Sequence, residues 1–266
     1  MDRVPDTDVA APLDDTAAQR NIRLAAVAAP AGSCSKCWLA STCLPARLRG
    51  EDVGRLREIV RRRPPLTRGQ SLFRGAERRD FLYIVRSGCL RTSIQTHNGG
   101  EQIVGFHLPG GVVGFDTGLG PFDRCRATAL ERTSVCAVSV DDLHRLATRV
   151  PGLQEQVYRL VSREIVANRQ HLLIMSRPTA RQRLALFLHT WSWRMRASGF
   201  TASPFTLPMR REDIANYLGV ALETTSRAIS RLHQDGVIRA RGRRIELLRP
   251  ELLGRIADCG VDATAA

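Results

Sequence analysis

"RREDIANYLGVALETTSRAISRLHQDGVIRARGRRIEL", residues 210–247, decides how the C-terminal third of this chain folds. "REDIANYL" predicts a short helix that buries Ile214, Ala215 and Leu218. Gly219 then allows a sharp turn, because a residue without Cβ enters the left-handed region at little steric cost. A second helix is expected from about Leu222 to Gln234, with Leu222, the aliphatic side of Thr225, Ile229 and Leu232 inward. Its opposite face carries Glu223, Ser226, Arg227, Ser230 and Arg231. Small and polar residues near the start of a second helix, with arginines following, suit insertion into the DNA major groove. There Arg donates to guanine O6 and N7, and Glu accepts from the cytosine amine, each good pair contributing ~1–3 kcal/mol of discrimination. "VIRARGRRIEL" reads as a hairpin turning at Gly242, a basic wing with Arg243 placed for phosphates. An ordinary helical hairpin with a solvated face would not combine turn, helix face and wing in this way.

The charge distribution points the same way. The formal net charge of the 266 residues is +14, which suits a polyanionic partner. Lys36 is the only lysine, so genome-wide bias towards arginine competes with that reading. Position separates the two. Residues 177–250 hold fourteen basic side chains against five acidic ones, so nine of the excess charges sit in one small region.

Upstream, from about Leu66 to Val140, short β-rich runs such as "FLYIV", "CLRTSIQT", "QIVGFHL" and "SVCAVSV" alternate with glycine turns. Such spacing argues for an all-β barrel or jelly roll. Between the two regions lies "PGLQEQVYRLVSREIVANRQHLLIMS", residues 151–176, which Pro151 suits as a helix start. Val157, Val161, Ile165, Leu172 and Met175 recur at helical spacing along a rod of ~39 Å, with Asn168 interrupting the stripe. The stripe fits either a helix packed on its own domain or a homodimer seam, in which a buried Asn sets the register.

Residues 1–33, rich in Ala, Asp and Pro, lack periodicity and are expected to be disordered. "EDVGRLREIVRRRPPL" predicts a short helix stopped by Pro64 and Pro65. No apolar run approaches the ~18 residues of a membrane span, and no export signal is evident. The chain is therefore expected in the cytosol with its thiols reduced.

"CSKCWLASTC" poses a separate question, with Cys34, Cys37 and Cys43 inside ten residues. Three thiols overfill a disulfide and underfill a closed four-thiolate site. Iron-sulfur clusters take thiolates, commonly four for [4Fe-4S]. The residues alone leave Cys89, Cys125, Cys136 and Cys259 open as the fourth ligand. Structural zinc prefers cysteine pairs at both ends of its site, and no second pair exists. A disulfide switch is unusual in reducing cytosol. A cupin-like metalloenzyme would draw on His97, Glu101 and His107, yet these form no recognisable motif and would leave the basic region idle.

From Cys34 onward the chain resembles the CRP/FNR superfamily of bacterial transcription regulators, in the branch that senses oxygen through an iron-sulfur cluster. The resemblance rests on the cysteine spacing, on "GFHLPGGVVGFD", "ALERTSVC" and "NYLGVALETTSR", and on the long helix. It implies an α+β chain: a disordered extension (1–33), a cysteine-rich cluster-binding loop (34–49), a β-roll sensor resembling cyclic-nucleotide-binding domains (50–150), a dimerisation helix (151–176), a winged helix-turn-helix (177–250) and a C-terminal tail (251–266). It implies that Cys136 is the fourth ligand of a [4Fe-4S] cluster and that Glu223, Ser226 and Arg227 read a TTGAT-type half-site in double-stranded DNA. It further implies a homodimer, control of anaerobic or microaerobic gene expression as an activator, and contact with RNA polymerase. Relatives usually carry Thr where Ala221 stands, which costs the recognition helix a cap of ~1 kcal/mol. The nucleotide-binding branch uses Gly-Glu-Leu and Arg-Ser; here Gly114-Phe115-Asp116 and Arg126-Ala127-Thr128 stand instead, so no cyclic nucleotide is expected. In the best-known relative a carboxylate lies in this part of the helix, so the neutral Asn168 implies a dimer that persists longer in air, and Trp38 beside Cys37 is placed to slow oxygen access. A cluster-less regulator of the same architecture, responding to thiol redox state, is the alternative.

Overall fold

The computed structural model describes residues 34–74, 81–96, 99–115 and 125–257. The extension 1–33, His97, Asp116 and Cys259 lie outside the described residues.

After a 3-10 turn (Leu44–Arg47), helix α1 (Glu51–Ile59) leads into strand β1 (Val60–Arg62). The helix therefore ends well before Pro64. β-branched Val60 is buried and the strand pairs with a segment far along the chain, an outcome that overrides the local helical pattern. Strands β2 (Ser71–Arg74), β3 (Phe81–Ser87), β4 (Leu90–Gln95), β5 (Glu101–His107), β6 (Val112–Val113), β7 (Cys125–Ala129) and β8 (Ser134–Ser139) complete two antiparallel four-stranded sheets. Their orders are β1-β8-β3-β6 and β2-β7-β4-β5. Between the sheets pack Leu72, Tyr83, Val85, Leu90, Val113, Val135 and Ala137. Gly88, at φ 80°, is required at the β3–β4 turn, since a Cβ there would lie 2.5 Å from the Arg132 carbonyl oxygen.

Helix α2 (Val140–Ala147) follows, and then α3 (Pro151–Ser176) runs along the roll with Leu153 and Leu160 in a core shared with Leu56, Val138 and Leu143. The last unit holds α4 (Ala180–Ala197), β9 (Phe205–Thr206), α5 (Arg211–Leu218), α6 (Leu222–Gln234), β10 (Ile238–Arg241), β11 (Arg244–Leu247) and α7 (Pro250–Ile256). The stretch expected as a tail thus begins as a helix. Pro250 suits its first turn, and Leu253 and Ala257 are buried in the core of this unit.

Candidate metal centre and nucleic-acid interface

The cysteine arm is a run of tight turns rather than a free loop. Cys37 N–H donates to the Cys34 carbonyl (3.3 Å), and Cys43 N–H to that of Leu39 (2.9 Å). Buried Leu39 and Leu44 anchor it. From α3, Arg163 donates to the Thr42 carbonyl at 2.9 Å and Gln156 to the same oxygen at 3.4 Å. Cys136 sits in the middle of β8. Its neighbours Val135 and Ala137 face into the sandwich, so strand alternation turns Cys136 outward, against the same apolar cluster that Cys34 and Cys43 touch. Cys125 lies in the other sheet, buried, opposite Ile94. The fold therefore brings Cys136, and not Cys125, to the arm.

The thiols feel one another. Burial pushes the Cys43 thiol up to about 12, and the charges of Cys136, Cys34 and Cys37 add to the rise. Burial likewise pushes Cys136 up to about 11, followed by Cys34 and Cys37, while Arg86 and Arg62 pull it back. Among the described residues, no group of three or more His, Cys, Asp or Glu is disposed to hold a single metal ion. A four-iron cube asks for something else: thiolates spread over its corners. Two further groups suit such an anionic centre. Arg62 is the cross-strand partner of Cys136, and the buried Nε atoms of Arg62 and Arg86 have no hydrogen-bond partner among the described residues. A buried donor without an acceptor costs ~1–3 kcal/mol, and anionic sulfur would supply that acceptor. Four thiols and two unsatisfied guanidinium donors fit a [4Fe-4S] cluster.

The DNA face is built by α5 and α6. Gly219 takes φ 62° and closes α5 in the left-handed region that favours glycine, and the Met175 methyl lies 2.7 Å from where a Cβ would stand. Thr225, Ile229 and Leu232 are buried beneath α6, whereas Leu222 is only partly covered. Glu223, Arg227, Ser230 and Arg231 are exposed, and Ser226 is half-buried. Arg227 makes no ion pair among the described residues and is free to meet a ligand; Arg231 lies 3.7 Å from Asp235. Ala221 precedes α6 without any side-chain cap. The wing turns at Gly242 between β10 and β11, with Arg241, Arg243 and Arg244 exposed; Arg243 also donates to the Pro208 carbonyl (3.1 Å), which pins the wing to its own unit.

On α3 the apolar face left uncovered is Tyr158, Val161, Ile165, Asn168 and Leu172, spaced alternately three and four apart. Ile165, Asn168 and Leu172 are exposed and Val161 is half-buried. Two residues expected on this seam are engaged within the chain: Val157 packs against the roll's core, and Met175 lies against Gly219. Tyr158, 65% exposed, continues the stripe beyond the residues that helical spacing alone marks.

A model of the Crp-like helix-turn-helix domain matches residues 182–256, and one of the cyclic nucleotide-binding domain matches 64–149. The transcriptional activator protein Anr of Pseudomonas protegens is 44% identical over 232 residues, covering 86% of this chain and 94% of that protein. The chain belongs to the CRP/FNR family, in its FNR-type branch. Another relative, the fumarate and nitrate reduction regulatory protein of Yersinia pestis, is 36% identical over 84% of this chain and 90% of its own length. Among solved structures, FixK2 from Bradyrhizobium japonicum superposes with a TM-score of 0.64 at 31% identity, covering 78% of this chain and all of that one. This CRP/FNR member is accordingly a DNA-binding transcription regulator and not an enzyme, with the β-roll and C-terminal helix-turn-helix of the family. No helix among its described residues is long and apolar enough to cross a membrane.

Sequence reading treated the family's sensor and DNA-binding units as separate, yet in this CRP/FNR chain they share a core. Ile103, Phe106 and Leu108 from the roll pack with Phe187, Trp191 and Tyr217. Asn216 of α5 docks on the free edge of β5: its Oδ1 accepts from Ile103 N–H and its Nδ2 donates to the Glu101 carbonyl, both at 2.6 Å. Arg91 bridges Glu101 (3.0 Å) and Asp213 (2.8 Å), the residue that also caps α5 through Arg210 N–H. The start of β5, from "THNGGEQ", is thus occupied by the protein's own helix. A polar residue on a helix face gives no sequence signal that it will complete a distant sheet edge.

Proposed function

We propose that this chain is an oxygen-responsive transcription regulator in which Cys34, Cys37, Cys43 and Cys136 hold a [4Fe-4S] cluster. When bound, such a cluster supplies an oxygen-labile bridge between the arm and β8. The chain's own residues do the rest. Gln156 and Arg163 seat the arm on α3, so the arm's position bears on the helix that carries the seam. Arg62 and Arg86 offset the negative charge of the thiolates. The single observation that carries the reading is the convergence of the arm and Cys136 on one apolar cluster beside two unsatisfied guanidinium donors.

The active form is a homodimer joined along Tyr158, Val161, Ile165, Asn168 and Leu172, while Val157 and Met175 stay against their own chain. Two recognition helices then face half-sites one helical turn apart, so the operator is a TTGAT-type palindrome. Glu223, Ser226 and Arg227 read base edges, while Ser230, Arg231 and Arg243 support the backbone contacts. The regulator acts in the cytosol as an activator of anaerobic or microaerobic genes through RNA polymerase. The roll does not take a cyclic nucleotide: the pocket of about 250 Å³ between the roll and α3 is lined by Phe115, Cys125, Glu164 and Asn168, and an acid there opposes a phosphate. At the position of a phosphate-binding hydroxyl stands Ala127, fully buried in the core.

Fluorescence anisotropy on a TTGAT palindrome and on a scrambled duplex tests the DNA half of this reading. Arg227→Ala loses roughly 1–3 kcal/mol per half-site on the palindrome and little on the scrambled duplex. An equal loss on both would make Arg227 a backbone contact and overturn the assignment.

A further inference from the structure

We propose that Trp38 and Phe200 form a direct link from the cysteine arm to the wing, separate from the dimer helix. The inference rests on the reading of the arm as the cluster site. Trp38 follows Cys37 immediately, and its ring meets that of Phe200 edge to face, with centroids 5.7 Å apart at 76°. This is a favoured aromatic geometry. The two rings are 52% and 38% exposed, so the contact joins two large apolar side chains at the surface.

Beyond Phe200 the chain is tied stepwise to the wing. Phe200 N–H donates to the Met195 carbonyl at the end of α4 (2.9 Å). Ser192 donates to the Ala202 carbonyl (2.7 Å), and Ser203 accepts from Leu247 N–H of β11 (2.8 Å). β9 then pairs with β11, Phe205 opposite Ile245 and Thr206 opposite Arg244, and Leu207 N–H donates to the Arg243 carbonyl (2.9 Å). A displacement of Trp38 is thereby delivered to the strand carrying Arg244. Gln156 and Arg163, which also support the arm, belong to α3, whereas Phe200 belongs to the DNA-binding unit.

The test is a double-mutant cycle with Trp38→Ala, Phe200→Ala and the double variant, plus Trp38→Phe. In anaerobically prepared protein the iron and sulfide content stays at the wild-type level, while the ratio of operator affinity with and without cluster falls by roughly 2- to 12-fold in each single variant. The double variant falls no further, and Trp38→Phe restores the ratio. Additive losses, or a ratio unchanged from wild type, overturn the link. The same cycle on thermal unfolding of cluster-free protein separates this inference from the cluster reading. If wild type proves free of iron, a non-zero coupling there still supports the link, and zero coupling removes it.

Discussion

Replacing Leu172 with alanine isolates the dimer seam from the fold. Leu172 is 69% exposed in the single chain and lies on α3 between Asn168 and Met175. Full burial of a leucine contributes about 2 kcal/mol, so covering the remaining surface yields about 1.4 kcal/mol per subunit. Both subunits contribute, and alanine keeps its Cβ, which brings the expected loss to about 2 kcal/mol. The dimer dissociation constant then rises roughly 30-fold. Val166 is the internal control. It is 45% exposed on the same helix, but about 100° round from Ile165 and facing the groove towards α4. Val166→Ala leaves the dimer constant unchanged. Sedimentation velocity across a dilution series measures both. Equal shifts in the two variants, or none in Leu172→Ala, would refute the seam.

Two further outcomes follow from local chemistry. Ala221→Ser supplies the missing cap of α6, whose backbone at φ −65° and ψ 153° already suits a capping residue. Stability rises by about 1 kcal/mol, and the thermal midpoint by about 2–4 °C, with an unchanged midpoint counting against the cap. His171 stacks on Tyr217 at 4.0 Å and its Nε2 meets the Tyr217 carbonyl at 2.9 Å. Burial lowers its pKa from the ordinary 6.5, so the unfolded chain takes up a proton before the folded one. The stability that depends on the neutral ring is fully present above pH 6.5 and is lost as pH falls through 6.5 towards the lowered value. Urea midpoints fall over that range, and His171→Gln flattens the fall; a variant with the wild-type slope would assign the effect to another group, such as His189.

What the sequence revealed and what it concealed divide along local and remote interactions. The long helix, the recognition helix and the turn at Gly219 follow from periodicity and glycine, which act within a few residues. Val60–Arg62 did not read as a strand because its partner, Arg62 opposite Cys136, lies more than seventy residues away. The choice between Cys136 and Cys125 was closed to residue patterns for the same reason. Both alternate along a strand, and only the sheet order separates the face beside the arm from the face opposite Ile94. Periodicity marked α3 as apolar on one side, yet it could not tell Val157 and Met175, covered by their own chain, from Tyr158, left bare. The buried Nε of Arg62 was equally silent, since an arginine after "VR" reads as one more solvated charge.

The central claim is that four cysteines from two parts of the chain share one iron-sulfur centre. Iron and acid-labile sulfide, quantified on protein prepared and kept without oxygen, test it most directly when wild type is compared with Cys136→Ala and Cys125→Ala. Four of each per chain are expected in wild type and Cys125→Ala, and neither in Cys136→Ala. Wild type without sulfide, or Cys136→Ala with a full complement, would contradict it.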